Sequence, residues 1–235
     1  MKNLTINNIE VEIQKKNIKN LHLSVLPPLG RVRVSAPNSM NDEAIRVFII
    51  TKIGWIKKQQ EKYKNQPRQC ERAYVSGESV YFWGKRYRLD VVHSNVYNDV
   101  RIKGDKLIFQ VREASTTEQR ANVLNAWYRE SIKKEIPKLL EKWQNVIGVT
   151  ANAWGVKNMK TRWGTCNVKD KRIWLNLQLA KKYPECLEYV IVHELVHLLE
   201  KNHNKIFIGY MDEFLPNWRT IKDELNALIL DYMEE

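Results

Sequence analysis

His193-Glu194-Leu195-Val196-His197-Leu198-Leu199-Glu200-Lys201-Asn202-His203 is the stretch on which the reading of this chain turns. On a helix, His193 and His197 stand four residues apart, so both imidazoles leave one face about one turn from each other. That separation lets both rings reach a single Zn2+ at roughly 2.0–2.1 Å, with Glu194 beside them to act on a metal-bound water. Tyr189-Val190-Ile191-Val192 precede the motif, and Leu195, Val196, Leu198 and Leu199 interleave with it. A segment apolar nearly all round is a buried helix. Two histidines and a glutamate are costly to bury there without a partner, and a metal ion satisfies them.

His203 requires a reversal of the chain. A continuous helix would carry it about 15 Å along the axis from His193. Asn202 suits a turn, because asparagine tolerates the left-handed conformation that ends helices. A catalytic zinc site takes three protein ligands and keeps one open position. The expected set is therefore His193, His197 and His203, with a carboxylate from a later helix, Glu213 or Glu224, as the alternative third ligand.

At 235 residues the chain holds one large domain or two small ones. It has no run of about eighteen apolar residues, so no membrane span is expected. Met1-Lys2-Asn3-Leu4-Thr5 lacks the pattern of a secretory signal. Cys70, Cys166 and Cys186 are odd in number and lack framework spacing, which fits a reducing, cytoplasmic setting. The formal charge of +12 is uneven: residues 1–115 hold 21 Lys and Arg against 11 Asp and Glu. A basic first half is compatible with nucleic acid, nucleotide phosphates or acidic proteins, and equally with a solvated surface.

Outward from the motif, the first third reads as strands and then a helix. Ile9–Ile13, Leu21–Val25 and Arg31–Val34 alternate, with a turn at Pro27-Pro28-Leu29-Gly30. Asn41-Asp42-Glu43 opens a helix in which Ile45, Phe48, Ile49, Ile53 and Ile56 recur at helical spacing. After a polar link from Asn65 to Gln69, strands return at 81–83, 87–91, 100–102 and 107–109. From Thr117, Leu124, Trp127, Tyr128, Ile132, Ile136, Leu139, Leu140 and Trp143 form a helical stripe, expected to kink or break near Pro137. Two short strands are expected around Ala151–Trp163 and Arg172–Leu179. Pro184-Glu185 then opens the metal-binding helix. Further helices should contain Phe207, Tyr210 and Met211, and Trp218, Ile221, Leu225 and Leu228. No internal repeat is visible. The change of texture places a domain boundary near residue 115, between a β-rich basic domain with one amphipathic helix (1–115) and a metal-binding domain (116–235).

At Trp55-Ile56, Gly84-Lys85-Arg86-Tyr87-Arg88-Leu89, Arg162-Trp163-Gly164-Thr165-Cys166 and Leu175-Asn176 the chain resembles the YgjP-like metallohydrolases. These are relatives of the SprT-like zinc metallopeptidases. His193 to His197, Asn202-His203 and Pro216-Asn217-Trp218 complete the pattern, which runs nearly the full chain in the family's order. Thr165 stands where the family more often has serine. The resemblance implies an α+β fold in which a β-rich half precedes a zincin-like, mainly helical catalytic half with a short sheet. It also implies His193, His197 and His203 as zinc ligands and Glu194 as the catalytic carboxylate.

The expected activity is zinc-dependent hydrolysis by a water that Glu194 activates, with peptide or unfolded protein as substrate. The strand Ile173–Leu179, if it forms a sheet edge, would receive an extended peptide. Arg162, in a Trp-Gly turn, is the candidate stabiliser of the oxyanion, or else a strand-end residue that holds the turn. Cys166 is read as a small buried residue rather than a ligand. The same resemblance allows nucleoside triphosphate pyrophosphohydrolysis on a substrate such as UTP, although the chain has no Gly-x-x-x-x-Gly-Lys-Ser/Thr loop. A metal-stabilised binding module for nucleic acid or protein is the third reading, against which Glu194 stands, since a structural site needs no base.

Overall fold

The computed structural model describes residues 2–26, 29–65, 72–159 and 162–227. The turn residues Pro27-Pro28, the link from Gln66 to Gln69, Cys70 and Leu228 lie outside them. The backbone divides into two compact units, Met1–Arg68 and Gln69–Asp231. The architecture is α+β, with three small sheets and five α-helices among the described residues.

The first unit contains β1 (Lys2–Ile6), β2 (Ile9–Lys16), β3 (His22–Leu26), β4 (Arg31–Pro37) and α1 (Asp42–Asn65). Asn7 and Asn8, both at positive φ (48° and 62°), make the two-residue turn of the first hairpin, the backbone that a right-twisted hairpin requires. The sheet order is β1-β2-β4-β3, with β2 and β4 parallel and the outer pairs antiparallel. Val11 and Ile13 of β2 and Val32, Val34 and Ala36 of β4 face inward at period two. Ile45, Ile49 and Ile56 of α1 pack with them and are fully buried. Asn41 caps α1 by accepting from the Ala44 N–H at 2.8 Å.

The second unit opens with β5 (Ser79–Phe82), β6 (Lys85–His93), β7 (Asp99–Lys103) and β8 (Lys106–Val111), in the order β5-β6-β8-β7. This repeats the first unit's plan: two hairpins joined by a parallel central pair, then a helix. The sequence shows no repeat, because the plan needs only alternation and turns, which unrelated residues satisfy. Helix α2 (Thr117–Ile147) starts with a capping box, Thr116 with Gln119, and ends at Gly148 in the left-handed conformation. Pro137 does not break it. Both Pro137 and Lys133, whose carbonyl loses its donor, lie on the exposed face where water replaces the lost bond.

A third sheet, β10-β11-β9, is formed by β9 (Ala153–Lys157), β10 (Gly164–Asn167) and β11 (Arg172–Asn176). The expected strand Arg172–Leu179 stops at Asn176, whose side chain accepts from the Gln178 N–H and starts a 3-10 turn over Leu177–Lys181. Nor is β11 an edge: it pairs with β10 on one side and β9 on the other. The edge strands are β10 and β9. Helices α3 (Pro184–Val196), α4 (Lys205–Phe214) and α5 (Trp218–Ala227) follow. One core joins Leu89, Leu107 and Phe109 of the second sheet, Tyr128 and Ile132 of α2, Leu175 of β11 and Ile191 of α3. The change of texture near residue 115 thus falls inside this unit. Among the described residues, no helix is long and apolar enough to cross a membrane.

Candidate metal centre

Pro184 occupies the first turn of α3, where its missing N–H is no loss. The helix is packed by α2, α4, α5, β10, β11 and the 3-10 turn, which accounts for its apolar circumference. His193 and Glu194 therefore leave the helix inside the core, and His197 forms its C-terminal cap. The chain then tightens: the Leu198 N–H bonds to the Leu195 carbonyl and Leu199 to that of Val196, both at 2.9 Å. Asn202 does not take the left-handed conformation expected of it. The reversal is made instead by this tightened turn and by the Glu200 carboxylate, which accepts from the Asn202 N–H at 2.9 Å. Asn204 caps α4 by accepting from Ile206 and Phe207.

This turn brings His203 back to the α3 pair. One ring nitrogen from each of His193, His197 and His203 lies within 4.8 Å of the others, and the Nε2 atoms of His193 and His203 are 3.0 Å apart. Neither Glu213 nor Glu224 belongs to this group, nor do His22 and His93. Sequence reading missed Phe207. Its buried ring lies 4.9, 4.8 and 4.7 Å from the rings of His193, His197 and His203, so α4 supplies a platform against which all three pack. Only the folded chain gives that signal.

The electrostatics follow from burial. Desolvation, aided by the neighbouring histidines and Lys222, brings His193 down to about 3. His197 is lowered for the same first reason, against the raising effect of the Glu200 carbonyl, to which its Nδ1–H donates at 3.2 Å. Both rings are neutral at pH 7, the form in which imidazole offers a lone pair. The bond to Glu200 holds the His197 tautomer, as a partner behind a metal ligand does. Nitrogens in a tetrahedral Zn2+ shell lie about 3.3 Å apart, given bonds of about 2.05 Å. Neutral imidazoles at the observed spacing fit such an ion.

Glu194 is 5% exposed. Burial pushes its carboxyl up to about 8, with the Arg162 charge pulling the other way. It stands with the histidines on the wall of a cleft of about 1030 Å³, to which residues 164–167 of β10 also contribute. Arg162 is exposed on the same cleft, outside the histidine group. Cys166 also lines it, and burial followed by the Glu194 charge pushes its thiol up to about 11, so it stays protonated. Asn176, buried behind this wall, ties the loop that leads into β10. Its amide donates to the Met159 and Arg162 carbonyls at 2.8 and 2.7 Å and accepts from the Met159 N–H at 3.3 Å.

A family model described as YgjP-like, metallopeptidase domain, matches residues 19–228. Among solved structures, the chain is similar to the metallopeptidase zymogen of Pyrococcus abyssi abylysin, with 21% identity and a TM-score of 0.36 over 38% of this chain and 90% of that one. It is also similar to the metallopeptidase zymogen of Methanocaldococcus jannaschii jannalysin, with 22% identity and a TM-score of 0.35 over 38% and 92%. No curated protein matches.

Proposed function

The chain belongs to the YgjP-like metallopeptidase-domain family, and from that premise we propose that it is a zinc-dependent peptidase acting on extended or unfolded polypeptide. The observation that carries the reading is the convergence of three histidine ring nitrogens beside a buried carboxylate on one cleft. His193, His197 and His203 would hold the ion. Bound Zn2+ supplies the positive charge that acidifies water and polarises the scissile carbonyl.

The remaining chemistry belongs to the chain's own residues. The Glu194 carboxylate accepts the proton of the attacking water and returns it to the leaving amine. Glu194 lines the cleft beside the three histidines, the position from which a carboxylate takes a proton from water and passes it to a leaving group. Arg162, on the cleft wall, holds a cation near the developing oxyanion. The free edge of β10 offers backbone N–H and C=O groups to a substrate in extended form. That role passes to β10 from β11, which has no free edge.

The test is Glu194→Gln. The variant should keep its zinc by elemental analysis while turnover of an unfolded-protein substrate falls about 10²–10⁴-fold, the usual share of a general base. Unchanged cleavage would overturn the assignment. A nucleoside triphosphate panel run in parallel distinguishes the chemistries: pyrophosphate release without peptide cleavage would replace the peptidase reading. Family membership favours the peptide.

A further inference from the structure

We propose that Gly164 is a positioning residue for the Glu194 carboxylate, its missing side chain being the space in which that group is held. The inference rests on the reading of Glu194 as the proton acceptor. A Cβ built on Gly164 would fall 2.6 Å from Glu194 Oε1, 2.9 Å from Glu194 Cγ and 2.8 Å from Val190 Cγ1. Carbon atoms in contact rest at about 3.5–4.0 Å, so none of these distances is tolerable without movement.

Conformation does not explain the glycine. Gly164 sits in β10 opposite Leu175, outside the glycines at positive φ, and its backbone accepts any residue. What it permits is close approach. Val190 and Glu194, one helical turn apart on α3, meet the edge strand at the point where it lines the cleft. Glu194 is nearly enclosed, so a methyl group here leaves its carboxylate little choice but to swing from its place. No atom of His193, His197 or His203 is among the three nearest to that methyl. A second strand glycine supplies the contrast. A Cβ on Gly155 in β9 would strike Trp174 Cζ3 at 2.2 Å, a crowding between sheet strands that involves neither α3 nor the carboxylate.

The experiment compares Gly164→Ala with Gly155→Ala in the zinc-loaded protein, each also combined with Glu194→Asp. The shorter aspartate withdraws from the added methyl. Gly164→Ala should retain its zinc and lose about 100-fold in kcat with KM nearly unchanged, the scale of a 1 Å misplacement of a catalytic group. In the Glu194→Asp background the same alanine should cost less than about threefold, a non-additivity that marks direct contact. Gly155→Ala should show no such coupling. Equal losses in both backgrounds, or a Gly164→Ala kcat within about threefold of the parent, would overturn the proposal. If Gly164→Ala folds poorly, Val190→Ala is added to relieve the aliphatic half of the clash, leaving the carboxylate half to be read. Should the parent protein cleave no peptide, the peptidase reading falls. The positioning role is then decided by a crystal structure of the zinc-loaded variant, in which an unmoved Glu194 carboxylate would end it.

Discussion

The two four-stranded sheets share one plan and serve different ends. In the first unit, β1 to β4 bury one face against α1 and close a core of their own. In the second, β5 to β8 also lie beside a helix, but α2 runs 31 residues and packs in turn on α3 and the 3-10 turn. Its buried stripe, Leu124, Tyr128, Ile132, Ile136, Leu140, Trp143 and Ile147, belongs to the core that carries the histidines. The same topology is thus a self-contained module in one place and a foundation for the site in the other. A fold plan says little about function until the partner of its helix is known.

Four variants sharpen that contrast. The largest effect is expected from His193→Ala, which removes one of three converging nitrogens. It should abolish stoichiometric zinc binding by elemental analysis, and hydrolysis with it, while far-UV circular dichroism is preserved. Next comes a matched pair of buried deletions. Ile49→Ala in α1 and Ile132→Ala in α2, both at fully buried positions, should each cost about 2–5 kcal/mol in denaturant unfolding. Only Ile132→Ala should also lower kcat or zinc affinity; equal loss from Ile49→Ala would break the comparison. The smallest effect concerns the α2–α3 tie, where Glu188 Oε1 accepts from Trp143 Nε1 at 2.8 Å and pairs with Lys142 Nζ at 2.7 Å. Glu188→Ala should cost about 1–2 kcal/mol, most of it from the indole N–H of buried Trp143 left without its acceptor.

How far the sequence could be read depended on the range over which each signal acts. The α3 spacing of His193 and His197 is local, and the need for a reversal before His203 follows from helix rise alone. The device that makes the reversal is just as local but ambiguous in sequence: asparagine's conformational tolerance suggests Asn202, whereas the Glu200 carboxylate two residues earlier and a tightened turn do the work. Strand β1 escaped notice because Asn7-Asn8 was not read as a hairpin turn. Leu177 to Leu179 alternate like a strand, but the side chain of Asn176 diverts them into a 3-10 turn in which Leu177 to Ala180 are buried. Phe207 read only as a helix residue and Gly164 only as part of the Arg162–Cys166 motif; their roles at the site were not legible, since one matters for the three rings packed on it and the other for an atom it lacks.

The order of the chain adds a consequence to the way His203 is recruited. The pair on α3 leaves the ribosome first, and the third imidazole arrives only after the 198–204 turn; its platform on α4 comes later still. Domains generally form as units during synthesis, N-terminal parts first. The first sheet and α1 can therefore be complete while the nascent polypeptide still lacks a full set of nitrogens. A growing chain carries no finished centre, and the hydrolytic capacity proposed for this protein is withheld until the 198–204 turn and α4 have followed α3.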